Sequence, residues 1–178
     1  MKEIEVKILD IDVAAVRRKL KNIGARRFFK GDVHAIYFDT PSQELTKAGK
    51  ELRVRTAGKR IELCVKSNRK ISRFKEADEF EVLTSHFDDT LSLLATLGFV
   101  KQRETTRVRE CYTLGVIKFD LDSYTHLPPY IEVEGKTEAD VVSGVHKIGY
   151  TMEQTTSMTV AEVERHYAQK KNNDKRKK

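Results

Sequence analysis

Charged side chains recur at every second position along several segments of this sequence. Guanidinium groups match the oxygen atoms of phosphate, and carboxylates bind hard divalent cations through oxygen. The full set comprises Glu3, Glu5, Lys7, Arg53, Arg55, Glu62, Lys66, Arg73, Lys75, Glu79, Glu81, Arg107, Arg109, Lys118, Asp120, Asp122, Glu132 and Glu134. Together these side chains could bind a polyphosphate chelated by a metal.

The signs of these charges are sorted by segment. Arg53 and Arg55 form one basic pair and Arg107 and Arg109 another, whereas the segment before Gly135 carries only acids. For any single strand, the simplest interpretation is the solvated outer face of a sheet. A face built only for solubility, however, usually mixes both signs. If the sheet closes with these faces inward, four guanidiniums converge in one lumen, and we expect strong self-repulsion there unless a polyanion fills it.

Two periodicities predict the elements that position these side chains. Ile4, Val6 and Ile8 alternate with charged residues, which is typical of a half-buried strand. Helical spacing and capping residues predict helices over 12–23 and 88–97, and two more that begin at Thr137 and Thr159. The predicted strands cover 2–9, a long segment that ends at residue 40, 51–56, 60–66, 75–84, 100–113, 116–123 and 130–135.

The order strand-helix-strand-strand-strand occurs twice and is followed by helices. The two halves also echo each other, since Glu3-Ile4-Glu5-Val6 corresponds to Glu79-Phe80-Glu81-Val82. Eight strands of this kind can close on themselves, which removes exposed edges. We therefore expect an α+β fold: a closed, eight-stranded, mainly antiparallel β-barrel from a duplicated β-α-β-β-β unit, with helices outside and at the C-terminus.

The composition is that of one polar domain. The chain has 178 residues, 39% hydrophobic and 34% charged, with a net charge of +7. Residues 170–178 contain six basic residues and one acid, so most of the excess charge lies there rather than on a nucleic-acid-binding face. We expect a single domain over 1–169 and a basic disordered tail over 170–178. Without an apolar run of about 18 residues or a signal-peptide pattern, the expected compartment is the cytoplasm.

Several motifs occur in an order that resembles the CYTH superfamily, the triphosphate tunnel metalloenzymes, over roughly residues 1–165. Glu3-Ile4-Glu5-Val6-Lys7 is similar to the Glu-x-Glu-x-Lys signature at the N-terminus of that superfamily. Further matching segments are Tyr37-Phe38-Asp39-Thr40, Leu52-Arg53-Val54-Arg55, Lys66, Arg107-Val108-Arg109-Glu110-Cys111-Tyr112, Leu121-Asp122 and Tyr130-Ile131-Glu132-Val133-Glu134. The resemblance implies a tunnel that binds a triphosphate with Mg²⁺ or Mn²⁺.

The resemblance also implies a role for each matching residue. The metal ligands would be Glu3, Glu5, Asp122, Glu132 and Glu134, and the triphosphate would be bound by Lys7, Arg53, Arg55, Lys66, Arg107 and Arg109. Catalysis would depend on Glu3, Glu5, Lys7 and Asp122. Further candidates for the site are Arg73, Glu79, Glu81 and Asp120, and the two glutamates could instead orient the arginines.

Three functions remain open at this point. Attack by water would make the protein a triphosphatase, which we prefer, acting on an inorganic or organic triphosphate. Attack by a ribose 3′-hydroxyl would make it a class IV adenylyl cyclase that forms cyclic AMP and pyrophosphate from ATP. A non-catalytic polyphosphate- or nucleotide-binding module would need the basic residues but not the acidic cluster. We expect a small-molecule triphosphate as the partner, no specific nucleic acid, no membrane, and a monomer or homodimer.

Overall fold

A computed structural model describes the backbone of residues 2–176 and the side chains of residues 2–171. Eight long strands, a ninth short one and five α-helices follow one another along the described chain. In order, they are β1 (Lys2–Ile8), α1 (Val13–Asn22), β2 (Arg26–Asp39), α2 (Glu44–Lys47), β3 (Glu51–Ala57), β4 (Arg60–Ile71), β5 (Lys75–Thr84), α3 (Phe87–Thr96), β6 (Val100–Leu114), β7 (Ile117–Ser123), β8 (Tyr130–Gly135), α4 (Glu138–Lys147), a 3₁₀ turn (Met152–Gln154), β9 (Thr155–Thr156) and α5 (Val160–Arg176).

The eight long strands form a closed antiparallel barrel, as the sequence predicted. Neighbouring strands follow the order β5-β4-β3-β2-β6-β7-β8-β1, and β1 also pairs with β5. In this closing ladder Glu3 lies opposite Ala77 and Glu5 opposite Lys75. The other edge of β1 pairs with β8, where Glu5 lies opposite Glu134. Closure therefore places β1 between β5, from the middle of the sequence, and β8, from its C-terminal part.

Most of the apolar strand side chains point outward and pack against helices. Ile4 and Val6 of β1 pack in one buried cluster with Val16 of α1 and with Val141 and Val145 of α4. A second cluster joins α3 to β2 and β3, and a third joins α5 to the segment around Tyr124 and Tyr130. Because the outward faces carry the hydrophobic core, the charged faces of the same strands point into the barrel.

Two helix starts confirm the capping patterns of the sequence. The Thr137 hydroxyl accepts a hydrogen bond from the Asp140 amide, and the Asp140 carboxylate accepts one from the Thr137 amide. Thr159 and Glu162 make the same reciprocal pair at the start of α5. Each pair satisfies amides that a helix leaves without intrahelical partners.

Four elements differ from the sequence prediction. The short helix α2, the 3₁₀ turn and β9 were not expected, and β4 continues to Ile71 rather than ending at Lys66. Helix α2 depends on Asp39, whose carboxylate accepts hydrogen bonds from the amides of Leu45 and Thr46, each at 2.9 Å. This contact spans six and seven residues, so a local periodicity does not reveal it.

The C-terminal helix covers part of the barrel. Val163 and Tyr167 are buried against it, in one cluster with Tyr124 and Tyr130. The helical backbone continues past residue 170 to Arg176, so no break marks the start of the expected tail, and residues 177–178 lie outside the described part. In the described part of the chain, no helix is both long and apolar enough to cross a membrane.

Candidate functional site

The inward faces of the barrel line a cavity of about 1290 Å³. Its wall carries both signs of charge, with a small excess of basic groups. The basic side chains are Lys2, Lys7, Arg53, Arg55, Arg60, Lys66, Arg69, Lys75, Arg103, Arg107, Arg109 and Lys118. The acidic side chains are Glu3, Glu5, Glu51, Glu62, Glu79, Glu81, Asp120, Asp122, Glu132 and Glu134. Such a wall can bind an anion and, through its carboxylates, a cation.

Arg109 on β6 is held by three carboxylates, two from β7 and one from β8. It lies opposite Asp122 in the ladder between β6 and β7, and its Nε donates to Asp122 Oδ1 at 2.6 Å. Its two terminal nitrogens donate to Asp120 Oδ2 at 2.5 Å and to Glu132 Oε2 at 2.7 Å. Burial alone would lower the pKa of Arg109, but these carboxylates raise it well above its ordinary value. The guanidinium is therefore fixed in place and charged.

Two other arginines in the cavity have a buried Nε that makes no hydrogen bond within the protein. Arg53 donates through Nη2 to Glu79 at 3.2 Å, and its Nε has no hydrogen-bond partner. Arg107 Nε lies 3.1 Å from Asp122 Oδ2 as an ion pair, but this contact is not a hydrogen bond. A buried donor that lacks an acceptor costs roughly 1–3 kcal/mol. A phosphate oxygen in the cavity would supply such an acceptor.

Arg55 is paired near one end of the barrel. Its guanidinium donates to the buried carboxylate of Glu62 and lies 3.5 Å from Glu81. Arg60 shares both of these acids, and its side chain is about half exposed. Burial lowers the pKa of Arg55, and the charge of Arg53 lowers it further. Two cations and two anions therefore meet at this end of the cavity.

Lys7 lies at the centre of a buried chain of charges. Its Nζ lies 2.8 Å from Glu5 and 3.0 Å from Glu132, and Lys75 approaches the same oxygen of Glu5 at 2.8 Å. Although burial would raise the pKa of Glu5, the charges of Lys7 and Lys75 lower it well below its ordinary value. The same competition lowers the pKa of Glu132 to about 2. Both carboxylates are therefore ionised and occupied by lysines.

Glu3 and Glu134 are the less strongly neutralised carboxylates of β1 and β8. Lys66 donates to Glu3, and Lys118 lies 2.8 Å from Glu134. Burial nevertheless raises the pKa of Glu3 to about 8, and the charges of Glu5, Glu79 and Glu134 add to that rise. Burial also raises the pKa of Glu134. These neighbouring carboxylates repel one another, and a bound cation would reduce that repulsion.

The model of the CYTH domain family matches residues 1–167. This chain belongs to the CYTH domain family. No curated protein matches it.

Solved structures share the CYTH barrel at low sequence identity. A candidate adenylate cyclase from Vibrio parahaemolyticus superposes with a TM-score of 0.81 at 17% identity, over 90% of this chain and 96% of that one. A protein from Pyrococcus horikoshii gives 0.76 at 23% identity, with 90% and 98% covered. A Hippeastrum protein, a candidate adenylyl cyclase with a dominant triphosphatase activity, gives 0.67 at 20% identity, with 92% and 95% covered. At these identities the likeness establishes the fold.

The CYTH barrel brings almost all of the predicted site residues together. Those that line the cavity are Glu3, Glu5, Lys7, Arg53, Arg55, Lys66, Glu79, Glu81, Arg107, Arg109, Asp120, Asp122, Glu132 and Glu134. Arg73 does not join them, because its side chain is 61% exposed and lies 3.9 Å from Glu153. Pairing between β4 and β5 ends at Ile71 and Lys75, so Arg73 lies in the turn, outside the alternation.

The expectation of strong self-repulsion among the four arginines is wrong. Glu79 lies against Arg53, Glu62 against Arg55, and Asp122 against both Arg107 and Arg109. In the sequence, several strands carry charges of only one sign. In the barrel, acidic strands lie beside basic ones. The arginines are therefore partners in a buried ion-pair network as well as candidate phosphate ligands.

The donor chemistry of the acidic cluster fits a hard divalent cation. Glu5 and Glu134 lie directly opposite each other on β1 and β8, and only carboxylate oxygens are offered there. Within the described part of the chain, however, no three His, Cys, Asp or Glu side chains are already grouped as ligands. Lysines contact one oxygen of each of Glu3, Glu5 and Glu134. A bound metal would therefore compete with these lysines for the carboxylates.

The cavity contains eight charged residues to which the sequence assigned no role in the site, although three of them belong to the alternating charged set. They are Lys2, Glu51, Arg60, Glu62, Arg69, Lys75, Arg103 and Lys118. A signal existed for some of them, because Lys75 shares the alternation of Glu79 and Glu81, and Arg103 shares that of Arg107. Arg69 and Arg103 both approach Glu51, at 3.8 and 3.2 Å. That cluster forms across three strands and has no local pattern.

The two cysteines have the properties of structural thiols. Both are free, and Cys64 is buried while Cys111 is half-buried. Burial raises the pKa of Cys64 to about 12 and raises that of Cys111 as well. The thiolate is the nucleophilic form of cysteine, so these side chains are not suited to covalent catalysis.

Proposed function

We propose that this protein is a divalent-metal-dependent enzyme that hydrolyses a triphosphate bound inside the barrel. The observation that carries the proposal is the pair of buried Nε donors on Arg53 and Arg107, which make no hydrogen bond within the protein and line a cavity rich in guanidiniums. Arginine forks match phosphate oxygens, and a triphosphate offers several such oxygens along one chain. Family membership supports the same assignment, since triphosphates are the substrates expected of CYTH proteins.

In this proposal the basic side chains position the phosphates. Arg53 and Arg107 donate hydrogen bonds to phosphate oxygens through their Nε atoms, and Arg55, Arg109, Lys7 and Lys66 add positive charge along the wall. Phosphoryl transfer requires positioning and charge neutralisation more than a protein nucleophile. Water would form one new P–O bond while a bridging P–O bond breaks, so that tripolyphosphate yields orthophosphate and pyrophosphate. The enclosed wall limits the water that reaches the reacting phosphorus.

The acidic side chains would hold Mg²⁺ or Mn²⁺. Glu3, Glu5, Glu132, Glu134 and Asp122 supply the oxygen ligands that such cations prefer. When bound, the metal would neutralise phosphate charge and activate the attacking oxygen. An incoming triphosphate would also attract Lys7, Lys66 and Lys75 away from their carboxylates. Substrate and metal would therefore each favour the binding of the other.

A second candidate reaction is cyclisation of ATP. The Vibrio parahaemolyticus neighbour is a candidate adenylate cyclase, whereas the Hippeastrum neighbour has a dominant triphosphatase activity. In the cyclase reaction a ribose 3′-hydroxyl attacks the α-phosphate and pyrophosphate leaves. We rank hydrolysis first because it needs only the phosphate-binding wall. The substrate is a small molecule in either case, and the protein is proposed to be a monomer or a homodimer. The cytoplasmic location stays a prediction.

Product analysis would separate these functions. The purified protein is incubated separately with tripolyphosphate, ATP and thiamine triphosphate, with Mg²⁺ or Mn²⁺, and the products are identified by ³¹P NMR. We expect orthophosphate, and no product in excess chelator. Cyclic AMP with pyrophosphate would instead establish the cyclase. Binding without turnover of any of the three would establish a non-catalytic module.

A further inference from the structure

One rim of the barrel carries a strand segment with an unpaired edge. The ladder that closes the barrel joins residues 2–5 of β1 to residues 75–78 of β5. Strand β5 continues beyond this ladder to Thr84, where β4 is its neighbour on one side. On the other side of residues 80–84, no strand of the described chain pairs with it. The backbone amides and carbonyls of that edge are therefore available to a further strand.

The unpaired edge lacks the features that normally prevent strand association. Exposed edges are usually interrupted by proline, protected by lysine or kept very short. Residues 80–84 are Phe-Glu-Val-Leu-Thr, without proline or lysine. Phe80, Val82 and Leu83 are 64%, 58% and 63% exposed. Glu81 is the one charged residue of the segment, and Arg60 donates a hydrogen bond to it at 2.6 Å. The edge therefore has the properties of a strand that pairs with another chain.

Phe80 and Val82 extend the apolar outer face of β4. They lie opposite Val65 and Leu63, which are partly buried against the cluster around α3. Both side chains also border the cavity, although Glu81 between them belongs to the inward face of the strand. The cavity therefore reaches the outside of the barrel past this edge.

Helix α3 adds two exposed leucines beside the same face. The hydroxyl of Thr90 lies 3.1 Å from that of Thr84, which places this side of the helix over the end of β5. Leu93 and Leu97 follow Thr90 by three and seven residues, so they lie on the same side of the helix. They are 57% and 66% exposed. A group of exposed apolar side chains of this kind marks an interaction surface.

The edge segment is complementary to a second copy of itself. Antiparallel pairing about a two-fold axis places residues of the same face opposite each other. With Val82 on the axis, Val82 lies opposite its counterpart, Phe80 opposite Thr84, and Glu81 opposite Leu83. All five residues of the segment are then paired, and no acid lies opposite an acid. The apolar outer faces of the two strands meet in one surface.

Other registers and other occupants from this sequence fit less well. With Phe80 or Glu81 on the axis, glutamates would lie directly opposite each other, which is unfavourable. With Leu83 or Thr84 on the axis, fewer residues would pair. Residues 172–178 consist of Asn, Asp, Lys and Arg, so they offer no apolar side chain to cover this surface. A second copy of the chain is therefore the occupant that the edge favours.

We propose that this protein forms a homodimer in which residues 80–84 of two β5 strands pair antiparallel about a two-fold axis at Val82. The paired strands join the two barrels through a continuous sheet. Phe80 and Val82 of both copies form an apolar strip between the two α3 helices. The same pairing covers the side opening of each cavity. Association through this edge does not depend on which reaction the cavity supports.

Sedimentation equilibrium of the full-length protein tests the dimer. We expect a dimer for the wild type and dissociation for Val82→Lys, which places two lysines directly opposite each other. Each copy also loses an apolar contact, so the dissociation constant should rise by at least about 100-fold. Ile71→Lys is the control and should stay dimeric, because Ile71 is 55% exposed but lies at the other end of the same hairpin. Circular dichroism would verify that both variants are folded.

Oxidative cross-linking tests the register, and it does not depend on the folding of Val82→Lys. Directly opposite residues have Cα atoms about 4.5–5.5 Å apart, within reach of a disulfide, whereas diagonal neighbours at about 7–8 Å are too distant. Val82→Cys should therefore form a covalent dimer, and Leu83→Cys should not. The wild type is oxidised in parallel, since it carries the free thiols Cys64 and Cys111.

Three results would overturn the dimer. A monomeric wild type would leave the edge to a strand of a different protein. A dimer that persists in Val82→Lys would show that another surface holds the two copies together. A Leu83→Cys protein that cross-links as readily as Val82→Cys would contradict the pairing about Val82.

Discussion

At the residue scale, Arg109 shows how the cavity serves both stability and binding. Its guanidinium contacts Asp120, Asp122 and Glu132, and the carboxylate of Asp122 is fully buried. Buried ion pairs of this kind contribute little to stability compared with apolar packing. Removing one partner, however, leaves the other charge buried and unpaired. Residues that seem to serve only the substrate are therefore also needed by the empty protein.

Replacing Arg109 should destabilise the protein in the absence of any ligand. In Arg109→Ala, Asp122 keeps only its contact with Arg107, so we expect the free energy of unfolding to fall by about 3–5 kcal/mol. Urea denaturation would measure the change. Lys101→Ala is the comparison, since it removes a cation from an exposed pair with Glu104 and should cost about 0–1 kcal/mol. Equal stability of Arg109→Ala and wild type would show that the carboxylates do not depend on the arginine.

Glu110 should make stability depend on acid pH. It lies outside the cavity, is 2% exposed, and accepts hydrogen bonds from Arg17 and Tyr112. Burial opposes ionisation, but these partners lower the pKa of Glu110 to about 2. Its contribution to stability is therefore complete above its unfolded pKa, near 4.5, and disappears as pH falls from about 4.5 to about 2.

Comparison of Glu110→Gln with the wild type isolates this effect. Urea denaturation from pH 6 to pH 2.5 should show the wild type losing about 2–3 kcal/mol more than the variant over that range. The loss should be confined to the acid side, since no change is expected between pH 6 and 8. Parallel pH profiles for the two proteins would contradict the assigned role of Glu110.

At the element scale, the contact between α4 and the barrel depends on a glycine. Gly144 is buried in the middle of the helix, where a Cβ would lie 2.7 Å from Val133 Cγ1 and 2.9 Å from Ile117 Cγ2. Alanine would favour the helix by about 1 kcal/mol, but overpacking a close contact costs about 1–3 kcal/mol. At Gly144 the steric cost of a Cβ therefore exceeds the gain in helix propensity from alanine.

Gly144→Ala should consequently lower the free energy of unfolding by about 1 kcal/mol, and Gly144→Val by more. Thermal and urea denaturation of the two variants would measure the series. Lys147→Ala, on the exposed side of the same helix, should leave stability nearly unchanged. A more stable Gly144→Ala protein would show that the helix can move away from β7 and β8 at little cost.

Much of the fold could be predicted from local patterns. The alternation of Ile4, Val6 and Ile8 gave a strand, and Thr137 with Asp140 marked the start of α4, because both signals act within a few residues. Helix α2 was missed because its amides are satisfied by Asp39, which precedes the helix. The charged set was predicted well, but its pairing was not. Only barrel closure brings Glu5 of β1 beside Lys75 of β5.

At the scale of the whole molecule, the polypeptide forms a barrel with an apolar exterior covered by helices and a charged interior. The C-terminal helix belongs to this arrangement, since Val163 and Tyr167 are buried and Val160 and Ala161 line the cavity. Lys170 lies 3.4 Å from Asp10, and both side chains are 55% exposed, so this pair contributes little to stability. The helix is therefore part of the domain, while residues 170–178 are proposed to be dispensable.

Two truncated proteins test the roles of the C-terminal helices and of residues 170–178 separately. A protein that ends at Gln169 should retain nearly full triphosphate turnover, because the site residues lie on strands that end by Gly135. A protein that ends at Gly135 should lose folding or activity, because it lacks the helices that cover the barrel. Turnover and circular dichroism would be measured for both. Loss of turnover in the longer protein would show that the basic segment takes part in substrate capture.

Arg53 and Arg107, whose buried Nε atoms make no hydrogen bond within the protein, are proposed to bind the triphosphate. The most direct test is the affinity for tripolyphosphate of the wild type, Arg107→Ala and the exposed control Arg18→Ala, measured by calorimetry with Ca²⁺. Each charge-assisted hydrogen bond is worth about 1.5–3 kcal/mol, so Arg107→Ala should bind about 10- to 100-fold more weakly while Arg18→Ala binds as the wild type does. A folded Arg107→Ala protein with unchanged affinity would contradict the account.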